Sequence, residues 1–178
     1  TGLTNGNAAA RIGADLWRLY DVEGSELTSR QLDNLGAFSG AAPLGGGGYA
    51  AISDANVIFV GEDGSFINSV VNDVLQNASS LTNGNLVGRC GADQWRVYTP
   101  TGGVVATRQL DNSGVFNSSA ALGGGGYAAV SDSRIIFMGA DGLTVNNVVT
   151  DVISSPTSLS NGNLVGRVGA DVWRLYDP

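Results

Sequence analysis

The sequence predicts an all-β repeat protein built from 39-residue, blade-like units of three or four strands, arranged as a β-propeller or an open β-array. Three observations predict it. The first is an internal period: Trp17, Trp95 and Trp173 lie 78 residues apart (95 − 17 and 173 − 95), inside GADLWRLY, GADQWRVY and GADVWRLY. The second is that each period divides in two. Segments 86–112 and 127–152 both hold a short apolar stretch, an Asp-bearing turn, a β-rich run, a Gly turn and a second β-rich run. Half of 78 is 39, close to the roughly 40–45 residues of a four-stranded propeller blade. The third is local pattern: short β-branched and aromatic runs are punctuated by 27 glycines, and no long stretch has helical periodicity.

The period sets the organisation. LTNGN at 3–7 returns at 81–85 and as LSNGN at 159–163, and GGGGYAA at 45–51 returns at 123–129. The first repeat spans 3–80 (half-units 3–41 and 42–80), the second 81–158 (half-units 81–119 and 120–158), and a partial third covers 159–178. A string of separate 78-residue β-sandwich beads is the alternative.

Each element follows from residue type. Leu16-Trp17-Arg18-Leu19-Tyr20 alternates, which puts Trp17 and Leu19 on one face and Arg18 and Tyr20 on the other. The tryptophans are expected in the core, packing unit on unit. Val57-Ile58-Phe59-Val60 and Ile135-Ile136-Phe137-Met138 are continuous apolar runs, expected as strands covered on both faces. Asp63-Gly64, Asp141-Gly142 and Thr101-Gly102-Gly103 mark hairpin turns. Segment 67–75 competes as a helix, but its β-branched content and its twin at 145–153 favour a strand. The tetraglycine runs lack a following Lys-Ser/Thr and a following helix, so they are expected as crowded strand starts where backbones approach closely, not as phosphate loops.

Composition excludes whole classes of chemistry. The chain has no histidine, no lysine and one cysteine, Cys90. A Ser-His-Asp triad, a Schiff base, an imidazole metal site and an intrachain disulfide are thereby excluded. Nine scattered arginines against sixteen acids (net charge −7) lack the clustered positive charge of a nucleic-acid footprint. Apolar runs are too short to span a bilayer as helices. Most acids sit in turns, where Asp caps its own backbone, so neither a carboxylate pair for glycoside hydrolysis nor calcium at the EDG and ADG turns is favoured. The chain is expected not to be an enzyme and to need no cofactor or metal. Cys90 replaces Ile12 and Val168 of the other copies and is expected as a small buried hydrophobe. Asn77 and Asn117 match the glycosylation sequon in a chain rich in Asn and Ser.

The candidate ligand-binding residues are Arg18, Tyr20, Arg96, Tyr98, Arg174 and Tyr176, an Arg-x-aromatic pair recurring in each copy. Such a pair can hold a glycan hydroxyl or carboxylate; the structural alternative pairs each Arg with Asp15, Asp93 or Asp171 three residues upstream. Arg30 and Arg108 face the same choice with Asp33 and Asp111. Segment 95–116, WRVYTPTGGVVATRQLDNSGVF, resembles a blade of the fucose-binding six-bladed propeller lectins. The resemblance covers about 22 residues per copy and does not extend into the GGGGYAA half. It implies a sugar-binding arginine at Arg96, and by repetition at Arg18 and Arg174. The family's acidic ligand falls on Thr107 or Ser29, and its aromatic ligand on Arg108 or Arg30.

One physical consequence joins these readings. A 39-residue unit cannot bury both of its apolar faces alone, so it must stack on a neighbour, which has the same need. Near-identical repeat edges at both ends predict a structural or adhesive protein, a fibre subunit or adhesin segment, joining copies of itself head to tail or in a ring. A secreted lectin with one glycan pocket per repeat is the alternative. The lack of an initiator methionine suggests a processed chain or a piece of a longer one, and the Gly/Ser/Asn/Thr-rich composition suggests an extracellular or cell-surface place.

Overall fold

The structure is a computed structural model and describes residues 1–32, 36–110 and 114–178; Asp33 and Asp111 lie outside the described residues. The described residues form eighteen strands in five antiparallel sheets, each strand pairing with its sequence neighbour. The first sheet is β1 (Ala8–Arg11), β2 (Leu16–Tyr20) and β3 (Glu26–Gln31). The second is β4 (Phe38–Pro43), β5 (Tyr49–Ser53), β6 (Val57–Val60) and β7 (Ile67–Val71). The third runs through β8 (Gln76–Ser80), β9 (Leu86–Arg89), β10 (Gln94–Tyr98) and β11 (Val104–Gln109). The fourth is β12 (Phe116–Ala121), β13 (Tyr127–Ser131), β14 (Ile135–Met138) and β15 (Val145–Val149). The fifth is β16 (Ser154–Ser158), β17 (Leu164–Arg167) and β18 (Trp173–Tyr176). The predicted all-β fold of blade-like units is what the chain adopts.

Segment 67–75 is a strand only to Val71, and its twin only to Val149. Both then turn away: Asp73 N–H bonds Val71 O and Asp151 N–H bonds Val149 O, so the chain leaves the ladder there.

The chain divides into two compact units. The first comprises 1–75, 84–86 and 98–103, the second 76–83, 87–97 and 104–178. In the first, Trp17 and Leu19 of β2 are sealed by Phe38, Tyr49, Ile58 and Val60. The Trp17 ring meets Phe38 edge-on at 5.4 Å and lies nearly parallel to Tyr49 at 5.6 Å. The second unit repeats this around Trp95, with Phe116 at 5.4 Å and Tyr127 at 5.8 Å. Aromatic pairs of this kind add about 0.5–1.5 kcal/mol each beyond area burial. β5, β6, β13 and β14 are buried along their whole length, as continuous apolar runs covered on both faces should be.

The glycine runs mark a close backbone approach. Gly45 N–H donates to Gly84 O at 2.9 Å, and a Cβ on Gly84 would stand 2.5 Å from Gly45 Cα. Gly123 and Gly162 repeat the contact at 3.2 Å. LTNGN and GGGG are therefore mates. Thr4 Oγ1 donates to Leu44 O and accepts Gly47 N–H, both at 3.0 Å, and Thr82 does the same for Leu122 and Gly125. Cys90 departs from expectation: it is half-buried, with Sγ 3.4 Å from Gln94 Oε1, because its strand-end position leaves one side open.

Candidate functional site

The six sequence-predicted ligand residues fall into two sets. Arg18, Arg96 and Arg174 sit on the faces of β2, β10 and β18 opposite the tryptophans. Arg18 Nε lies 3.3 Å from Glu26 Oε2, with both side chains about two-fifths exposed, a pair worth at most about 1 kcal/mol. Arg96 Nε donates to Thr107 Oγ1 at 3.0 Å. Arg174 pairs with Asp151. For Arg18 and Arg174 the upstream aspartate expected as partner is replaced. Register decides this: Arg18 faces Ser29 across the β2–β3 ladder, which brings Glu26 within diagonal reach. Asp15 instead offers its backbone carbonyl to Leu32 N–H at 2.8 Å.

The tyrosines are braces. Tyr98 is fully buried, 5.6 Å from Phe59, with its hydroxyl donating to Asp73. Tyr176 is 6.2 Å from Phe137, and its hydroxyl donates to Asp151 at 2.5 Å. In both cases Asp precedes Tyr by 25 residues. Burial, and then the bond to Asp151, pushes Tyr176 up to about 12; the same bond, ahead of Arg174, holds the Asp151 carboxyl below the usual carboxylate range. Tyr20 is half-buried, and the position 25 residues before it precedes Thr1. No spacing rule in the sequence flags this Asp–Tyr contact, because it joins separate sheets; only the repetition of both residues at 78 hints at it.

The arginines of the strand preceding each tryptophan hold backbone and neighbouring side chains. Arg11 Nη1 donates to Phe38 O at 2.7 Å, and Arg167 Nε to Ser154 Oγ at 3.3 Å. The sequon residue Asn77 lies in β8, where its carbonyl accepts the Ser119 hydroxyl at 2.6 Å.

The third tryptophan corrects the expectation that all three are core. Trp17 and Trp95 are 4% and 1% exposed, whereas Trp173 is 56% exposed, beside Leu175 at 57% and Val172 at 56%. The residues that cover Trp17 lie 21 and 32 positions downstream (38 − 17 and 49 − 17); the equivalents for Trp173 fall past Pro178. β18 also ends its sheet, with no strand beyond it among the described residues, where β10 has β11.

No protein-family model matches the sequence. No curated protein matches it either. Solved structures do match in fold. The virginiamycin B lyase of Staphylococcus aureus superposes with a TM-score of 0.69 at 10% identity, over 94% of this chain and 61% of that one. BBS1N, from its complex with ARL6DN, gives 0.71 at 8% identity over 96% and 60%. BamB of Moraxella catarrhalis gives 0.64 at 12% identity over 90% and 53%. These neighbours are β-propeller proteins, and the chain spans a little over half of their length. At such identities the likeness is one of fold. It nonetheless corrects the expectation that the chain is not an enzyme: lyases are built on this fold, so the architecture and the missing residue types do not exclude catalysis. A catalytically inactive histidine-to-alanine variant of the same lyase has been solved with quinupristin, whereas this chain has no histidine.

Proposed function

We propose that the chain is an assembling β-blade repeat protein, joined to a further copy of itself through its last repeat, with a structural or adhesive role outside the cell or at its surface. One observation supports this above the others: the same aromatic seal recurs from sheet to sheet, Trp17 under Phe38 and Tyr49 and Trp95 under Phe116 and Tyr127, so each unit completes its core only on the next. Burying side chains of this size stabilises by roughly 1.5–3 kcal/mol each. Glycan binding has less support, because Arg18, Arg96 and Arg174 each already stand beside a partner from their own chain, Glu26, Thr107 and Asp151.

Sedimentation across a concentration series tests the reading. Association is expected, and it should strengthen with salt, since each copy carries −7 and the contact is apolar. Trp173→Arg should abolish it and Arg18→Ala should leave it intact. A monomer at every concentration, with Trp173 still open to acrylamide quenching, would refute the proposal.

A further inference from the structure

A second feature, independent of the last repeat, lies in the first compact unit. A groove of about 350 Å³ opens where the 45–48 glycine loop, the turn before β7 and the loop after β10 meet. Its wall at Gly46 is bare backbone: Gly46 has φ +80° and nothing within 4 Å of where a Cβ would stand. Glu62, Asp63, Phe66, Asn68 and Thr101 complete it, and no basic side chain lines it.

Phe66 is 64% exposed, although it is held by its backbone: its carbonyl accepts Gly61 N–H at 2.8 Å and its N–H donates to Asp63 Oδ1 at 3.2 Å. The ring therefore stands at the groove on a fixed turn. Asp63 also accepts the Ser65 N–H at 2.9 Å and the Ser65 hydroxyl at 2.6 Å, which hold its carboxyl below the usual range and keep it charged. Glu62 makes no hydrogen bond or ion pair among the described residues.

The other copy supplies an internal control. There Ala140 stands in place of Glu62 and Thr144 in place of Phe66, yet Asp141 makes the same turn, accepting the N–H groups of Leu143 and Thr144 at 2.9 Å and the Thr144 hydroxyl at 2.6 Å. The turn needs neither a glutamate nor a phenylalanine. Their pairing in the first copy is a surplus that the fold does not explain.

We propose that this groove binds a small organic cation, a guanidinium or ammonium group with an apolar stem, seated on the Phe66 ring and neutralised by Glu62 and Asp63. An aromatic face attracts such a cation through its quadrupole, and two carboxylates beside it add charge complementarity in a chain that is acidic throughout. The volume suits one side-chain-sized ligand.

The test titrates the 15N-labelled protein with arginine amide, and in parallel with citrulline amide, the side chain's neutral counterpart. Saturable shifts are expected at the amides of Gly46, Glu62, Phe66 and Thr101 with arginine amide only. Glu62→Ala and Phe66→Thr import the residues of the other copy, so both should fold with unchanged melting temperature. Each should weaken binding about two- to fivefold, and the pair should remove it. Equal shifts with citrulline amide, full binding by the double variant, or no saturable shift at 50 mM ligand would each overturn the proposal.

Discussion

Replacing Gly84 by alanine tests whether the two glycine motifs are held together by backbone contact. Gly84 and Gly24 have nearly the same left-handed backbone, φ +86° and +85°. Forcing an L side chain into that region costs roughly 1–2 kcal/mol at either site. Their surroundings differ completely. A Cβ on Gly24 meets nothing within 4 Å, whereas a Cβ on Gly84 falls 2.5 Å from Gly45 Cα and 2.9 Å from its nitrogen. Relieving that clash requires the loops to part by about 1 Å, which takes the 2.9 Å bond from Gly45 N–H to Gly84 O outside hydrogen-bonding range. The lost bond costs about 0.5–1.5 kcal/mol and the displaced packing about 1–3. Gly84→Ala should therefore be about 1.5–4.5 kcal/mol worse than Gly24→Ala. Urea unfolding at unchanged slope reads the difference, and for a chain of this size the melting temperature should drop by at least a further 3–6 °C or so. Gly162→Ala should behave alike, since its Cβ would stand 2.7 Å from Gly123 Cα. If Gly84→Ala and Gly24→Ala agree within about 0.5 kcal/mol, the close approach is not what these glycines are for.

Trp95→Ala should cost about 3–5 kcal/mol by chemical denaturation, while Trp173→Ala in the dilute monomer should cost under about 1, since only the former leaves a cavity under Phe116 and Tyr127. Asp141, held at about 2 by the hydroxyl and N–H of Thr144 and the N–H of Leu143, is a carboxylate with a depressed pKa. Its contribution is present above about pH 4 and is lost as pH falls through about 2; Asp141→Asn should flatten stability across that window. Tyr49, raised by burial against the opposing charge of Arg30, and Tyr176 should ionise near pH 12 in ultraviolet titration. Because their folded pKa values exceed the unfolded value near 10, the stability they add is present below pH 10 and is lost as pH rises to about 12; two tyrosines titrating normally in the native state would contradict the packing.

Much of the architecture was legible in the sequence because it is written in short-range pattern. Alternation at Trp17 and Leu19, the unbroken runs at β6 and β14, and the turn glycines each act within a few residues, where steric preference and side-chain direction are local. The period of 39 followed from the same signals. Its phase did not. The sheets span 38–71, 76–109 and 116–149, so β4 straddles the boundary drawn at 41 and 42, since a repeat has a length in sequence but a beginning only in its hydrogen bonds. Tertiary structure alone decided the partners. Arg18 turns to Glu26 through strand register, and Tyr98 and Tyr176 find aspartates 25 residues away through the approach of separate sheets. Three copies of nearly the same peptide thus end in different surroundings. A strand's covered and uncovered faces are set by what packs on it, and that is a property of the neighbouring sheet.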